Sequence, residues 1–214
     1  MHTRFICLAN SLKEGGRCMA GIELNKDNIP IFIDGRPHWI RPICTTLHGE
    51  IPNDIASPFK VLNIIEFDTN ESHPHGYQSE NMGFNELSLH VIGNYNRNDL
   101  GAVCDDRDSI FGNRGKAVSH ESIVYLNHSL VLVSATKFEV TQKTYQDQPN
   151  KTQKRMLFSF HGTQYDLPIT SPLFLALHNT NPDVLNGIKQ IYLSLSLGIE
   201  WKDWYYKLVA GVIM

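Results

Sequence analysis

The sequence is most informative at first through what it does not contain. No apolar run approaches the roughly 20 residues that span a bilayer. The longest, such as Ile123 to Leu126 and Leu130 to Val133, are short and interrupted, so no membrane partner is expected. There is no Cys-x-x-Cys pair among Cys7, Cys18, Cys44 and Cys104, and hence no zinc-ribbon spacing. In a chain of this size those four read as reduced, small apolar side chains rather than a disulfide framework. There is no excess of one charge: 19 Lys and Arg against 22 Asp and Glu leave a net charge of −3. That excludes the strongly basic, histone-like mode of nucleic-acid binding and requires any basic surface to be local.

What is present is ordinary globular composition, 214 residues with 42% hydrophobic side chains. This suffices for one large or two small domains with a real core. The first residues, Met1 to Leu8, are too short an apolar segment for a signal peptide and read as a first strand, which makes a cytoplasmic protein the expectation. Short extended segments follow throughout. Arg4–Ala9 and Arg17–Leu24 flank a break at Asn10–Gly16, with the tight turn expected at Gly15-Gly16. Trp39–Ile43 is held extended by Pro42, and Val61–Phe67 is a buried strand. Asp68–Gln78 reads as loop. Residues 94–115 are rich in Asn, Asp and Gly and read as a functional loop or a crossing between halves. Strands resume at Ser129–Ala135, Lys137–Gln142, Lys154–His161, Thr163–Leu167, Ile191–Leu197 and Tyr205–Met214, with a short helix expected over Pro182–Lys189 capped by Asn181.

Nine or ten short strands and one or two short helices define a mainly β protein. About five strands fall in each half. Two tandem OB-like β-barrels close that many strands with few exposed edges. The expected division is 1–120 and 121–214, with the boundary near Ser119–Asn127.

Several strings together resemble a known family. They are Phe5–Ser11 followed by Lys13–Cys18; Trp39-Ile40-Arg41-Pro42; Pro74–Asn81; Gly162 with Tyr165-Asp166-Leu167; and Tyr206–Ala210. They are similar to the bacterial dual OB-containing domain family, over almost the whole chain. The resemblance implies two OB-like barrels and recognition of nucleic acid or a nucleotide. By fold-level analogy it also implies a stand-alone module acting beside a partner enzyme, for example in phage defence. It assigns no catalytic residues.

The residues themselves suggest where a ligand would sit. In the Asn10–Arg17 turn, Gly15 and Gly16 allow close backbone approach, Lys13 and Arg17 supply charge, and Asn10 supplies hydrogen bonds, a set suited to phosphate. It equally suits a plain hairpin, and without a Gly-Lys-Ser/Thr ending it is not a P-loop. Trp39 and Arg41 share one face of a strand, placing a stacking ring beside a guanidinium, or else a core ring with an extended Arg. His75, Tyr77, Gln78 and Asn81 crowd one loop, where Tyr77 can stack and the amides can read base edges, or the loop can simply be tied to itself. Arg107, Arg114 and Lys116 make a loop end cationic, while Asp105, Asp106 and Asp108 read as solvated or Arg-paired carboxylates. From Lys137 to Arg155 five cations face Glu139 and Asp147, a backbone-binding flap or a lysine-rich hairpin tip. Phe158, Phe160, Tyr165 and Tyr192 read mainly as core. Trp201 to Tyr206 reads as packing or a partner surface.

The expectation from sequence is therefore a non-catalytic module for single-stranded or structured nucleic acid, or a nucleotide, with no cofactor and no bound metal. Two rivals stand beside it. One is a metal-dependent phosphodiesterase built on Asp105, Asp106, Asp108 and His75. The other is a protein–protein adaptor using Trp201 to Tyr206.

Overall fold

The computed structural model describes residues 2–145 and 148–214. The chain forms two compact units, one of Met1–Val103 with Asn127–Ser129, the other of Cys104–Leu126 with Leu130–Met214. The division differs from the one expected near 119–127. The Asn/Asp/Gly-rich segment carries Ile110 and Phe111, and Ala117 and Val118 follow it, all buried. Residues 117–119 pair as a strand with the C-terminal strand. Apolar burial outweighs the loop-like composition there.

In the first unit the elements are β1 (His2–Lys13), β2 (Gly16–Leu24), β3 (Phe32–Ile33), β4 (Arg36–Pro37), β5 (Trp39–Ile43), α1 (Asn53–Ala56), β6 (Asn63–Ser72), β7 (Asn81–Phe84) and β8 (His90–Asn94). The sheet runs β1-β2-β5-β7-β6, closes by pairing β6 with β1, and carries β8 along β6. β5 and β7 are parallel; the other pairs are antiparallel. Glu14 and Gly15 have φ of 42° and 84°, as a two-residue type I′ turn requires. The turn is thus Glu14-Gly15, and Gly16 opens β2. Inside, Phe67 meets Phe5 and Phe84 edge-on at 5.6 and 5.7 Å, with Cys7, Met19, Ile40 and Ile65 packed around them.

The second unit comprises β9 (Ala117–Ser119), α2 (His120–Ile123), β10 (Leu130–Ala135), β11 (Phe138–Tyr145), β12 (Gln148–Phe160), β13 (Thr163–Pro168), α3 (Pro172–Thr180), β14 (Ile191–Trp201) and β15 (Trp204–Ile213). Its path repeats that of the first, with the opening strand broken into β10, which pairs with β14, and β11, which pairs with β12. β12 pairs with β13 and β14 with β15. One parallel bridge, Ile169 to Val209, joins the end of β13 to β15. One closed five-stranded barrel and one half-barrel result, both in the Greek-key strand order of the OB fold. The mainly β, two-barrel expectation is met.

The helix expected at Pro182–Lys189 is a series of turns, with Gly187 at φ 80°. The helix forms ten residues earlier, where Ser171 caps the amide of Phe174 and Pro172 occupies the first turn. Ser followed by Pro is the stronger start signal, because the hydroxyl satisfies an orphan amide and proline needs none.

Candidate functional site

OB barrels take ligands across their second and third strands, between the loops joining strands 1–2 and 4–5. In the first unit these parts are β2, β5, the Glu14-Gly15 turn and residues 73–80. In the second they are β12, β13, the adjoining ends of β11 and β12, and the turn at Lys202-Asp203.

The candidates read from the first half do fall on those parts, but most of their polar groups bond within the unit. Asn10 is buried and donates from Nδ2 to the carbonyls of Ala56 at 2.8 Å and Phe59 at 2.9 Å. Lys13 is half-buried, and burial lowers its amine below the usual lysine range. The Gly15 carbonyl accepts from Asn53 Nδ2 at 2.8 Å, and Arg17 Nε donates to Asn53 Oδ1 at 2.7 Å. A Cβ on Gly16 would lie 2.6 Å from the Ile51 carbonyl, so the close approach that glycine permits here is to the chain itself.

Arg41 departs most from expectation. It is 2% exposed, with Nη2 donating to Glu80 Oε1 at 3.1 Å and Ser129 Oγ at 2.6 Å, and Nη1 to Asn81 Oδ1 at 3.2 Å. The parallel pairing of β5 with β7 brings Glu80 and Asn81 beside it. Its guanidinium therefore ties strands together rather than standing beside Trp39 for a ligand; Trp39 is half-buried. In residues 73–80, His75 is exposed, Tyr77 and Gln78 are half-buried, and Gln78 Oε1 accepts from buried Asn81 at 3.3 Å.

The second unit is different. A cavity of about 580 Å³ opens on its corresponding face, in the size range of small-ligand sites. Five basic side chains line it, Arg114, Lys116, Lys143, Arg155 and Lys207, against one acid, Asp166. Arg114, Lys116 and Lys143 are exposed. Arg155 lies on the floor, with Nε on Asp166 Oδ1 at 2.7 Å and Nη1 on Gln153 Oε1 at 2.6 Å. Trp201 and Tyr206 add rings to the wall. Trp201 is 60% exposed and Lys202 Nζ sits 5.4 Å from its ring centroid. Lys202 and Asp203, at φ 50° and 65°, form another type I′ turn and hold Trp201 opposite Trp204.

Lys207 is fully buried, its Nζ donating to Ile110 O at 2.7 Å, Asn113 O at 2.8 Å and Asn113 Oδ1 at 3.0 Å. Burial pushes its pKa down to about 7. Phe158 and Tyr165 stack in the core at 5.5 Å.

Of the residues singled out for ligand contact, Arg114 lines this cavity; Lys143 and Arg155 come from the cation-rich stretch. The side chains of Asp147 and Lys151, from the same stretch, lie outside the described residues. Arg107 pairs with Asp105, Nε to Oδ1 at 2.9 Å. Among the described residues no group of three or more His, Cys, Asp or Glu gathers as a metal site, and no helix is long and apolar enough to cross a membrane. Sequence reading missed Lys207, although strand alternation puts it on one face with buried Tyr205 and Val209.

Two OB-like units in tandem, one with the polar groups of its strand 2–3 face bonded internally and one with a basic cavity on that face, define the class of molecule. The family model for the dual OB-containing domain matches residues 3–212, and the chain belongs to that family. No curated protein matches it. Among solved structures, it is similar to a replication protein A heterotrimer bound to ssDNA, at 8% identity and a TM-score of 0.34, covering 92% of this chain and 44% of that one. A second similar structure concerns the molecular basis for abrogation of activation of pro-inflammatory cytokines, at 11% identity and a TM-score of 0.29, covering 96% and 87%. The chain thus spans less than half the length of the replication protein A chain.

Proposed function

We propose that this chain is a non-catalytic nucleic-acid-binding module, and that a single strand lies in the basic cavity of the second unit. The observation that carries the reading is the coincidence of that cavity with the strand 2–3 face of an OB barrel. Arg114, Lys116 and Lys143 would meet backbone phosphates, and Trp201 and Tyr206 would offer rings to bases. Charge along a groove and exposed rings is the combination by which proteins hold single strands without reading sequence. The tight turns and paired polar groups of the first unit suit it better to a supporting role.

The test is fluorescence anisotropy against labelled single-stranded DNA, single-stranded RNA and duplex, each across a salt series. Micromolar or tighter binding to a single strand, weakening steeply with salt, is expected, because cation–phosphate contacts release counterions. Absence of binding at low salt overturns the reading. Binding to duplex alone overturns the single-strand assignment.

A further inference from the structure

The wall that carries Arg114 and Lys116 has an unusual support. Of residues 110–116, which precede β9, Arg114, Gly115 and Lys116 line the cavity. Two successive residues, Phe111 at φ 50° and Gly112 at φ 75°, take left-handed backbone. For a buried phenylalanine that conformation is costly, and it persists only where surroundings enforce it. Here one buried amine is at the centre of those surroundings. The left-handed turn directs the carbonyls of Ile110 and Asn113, and the Asn113 side-chain oxygen, at Lys207 Nζ. Three acceptors match the three N–H bonds of an ammonium group; a neutral amine has only two. The Tyr165 ring centroid lies 5.3 Å from the same nitrogen. Its hydroxyl accepts from the Ile110 amide at 3.3 Å and donates to Asn113 O at 3.4 Å. Asn113 Oδ1 also accepts from Gly115 N at 2.8 Å, and Lys116 O accepts from the Lys207 amide at 3.0 Å. The backbone on both sides of Arg114 is thus fixed by contacts that converge on Lys207 and Asn113.

We propose that Lys207 is a positioning residue: its ammonium gathers residues 110–113 and so sets Arg114 and Lys116 on the cavity wall. Its three N–H bonds are already directed at protein oxygens, so it acts on a ligand through those two cations. The inference rests on the reading of the cavity as a phosphate-binding site, but its structural half can be measured without any ligand.

The first experiment is amide hydrogen exchange at pH 6 on the full chain and on Lys207→Met. Loss of protection is expected at Ile110, Asn113 and Gly115, with the β14–β15 amides retained. Unchanged protection in the loop overturns the proposal. If Lys207→Met does not fold, Asn113→Ala removes one acceptor and keeps the lysine, and a smaller loss at the amides of residues 110 and 113 is expected; Gly115 is not read there, because the Asn113 side-chain oxygen is its own acceptor.

The second is a double-mutant cycle read by anisotropy on a labelled single-stranded oligonucleotide. Lys207→Met should weaken binding about as much as Arg114→Ala with Lys116→Ala, and have less than about a twofold further effect in that background. A role in general stability would not produce that dependence. Full additivity would mean that Lys207 contacts the ligand itself, and would overturn the proposal. If the oligonucleotide does not bind at all while loop protection is lost in Lys207→Met, the functional reading fails and the positioning role stands.

Discussion

The two units share a strand order but differ in how much charge they leave on the strand 2–3 face. In the first, Arg41 on the third strand is buried against Glu80, Ser129 and Asn81, and Gln78 of the adjoining loop accepts from the Asn81 side chain. In the second, the corresponding face carries Arg114, Lys116 and Lys143 exposed around a cavity. Arginine is thus an internal tie in the first unit, and in the second it serves both as an internal tie, at Arg155, and as open surface, at Arg114. The difference comes from what the neighbouring residues bring: a buried carboxylate beside Arg41, and a half-exposed Asp166 beside Arg155. Topology places the strand 2–3 face, and neighbouring side chains decide whether its charged groups are bonded within the protein.

The sharpest way to break this contrast is at Arg41. Arg41→Ala leaves Glu80 charged, buried and unpaired, and should destabilise the first unit by about 3–5 kcal/mol. Urea unfolding followed at β1–β2 amides would read this. Protein that remains folded should bind an oligonucleotide as the parent does. A large loss of affinity without loss of stability would show that Arg41 faces the ligand after all.

The next effect belongs to the second unit. Arg114→Ala, Lys116→Ala and Lys143→Ala together should weaken single-strand binding on the order of a hundredfold at 0.1 M salt. The log–log salt slope should become shallower by about 2, since each phosphate contact on a single strand contributes about 0.7. The matching pair in the first unit, Lys13→Ala with Arg17→Ala, should change affinity by less than about threefold. Reversal of these two outcomes would move the site to the other barrel. Trp201→Ala should weaken binding about tenfold, in line with about 1–3 kcal/mol per stacked base, and leave the melting temperature unchanged.

The smallest expected effect is a divergence with pH. Burial pushes the thiols of Cys7 and Cys44 in the first unit, and Cys104 in the second, up to about 12. Unfolded thiols release their proton near 8.5, so these groups contribute stability below that pH that is lost as pH rises. Lys207 runs the other way: its folded pKa lies below the unfolded value, so stability is gained between about 7 and the ordinary lysine range. Between pH 7 and pH 10 the first unit should lose stability relative to the second. Hydrogen exchange of β1–β2 against β14–β15 amides measures this, and equal loss in both units contradicts it.

Much of the fold was readable from local pattern. The alternation of Ile191–Leu197 marked β14, Pro42 kept β5 extended, and turn residues separated most hairpins. What escaped depended on distant partners. Ile110-Phe111 looks like part of a polar loop until β15 supplies Lys207 and β13 supplies Tyr165. Arg41 looks surface-bound until β7 supplies Asn81 and the preceding loop Glu80. The cation excess from Lys137 to Arg155 did point to the basic face, because it is a local property. The polar residues of Asn10–Arg17 and 73–81 fall on or beside the loops that flank the β2–β5 face, but their partners, Ala56, Phe59, Asn53 and Arg41, are distant in sequence.

The most direct test is photo-crosslinking of a 5-iodouridine-substituted single strand to the intact chain, with the attachment site mapped by mass spectrometry. Crosslinks at Trp201 or Tyr206 are the predicted result. Crosslinks at Trp39 or Tyr77 would place the ligand on the first barrel and contradict the account.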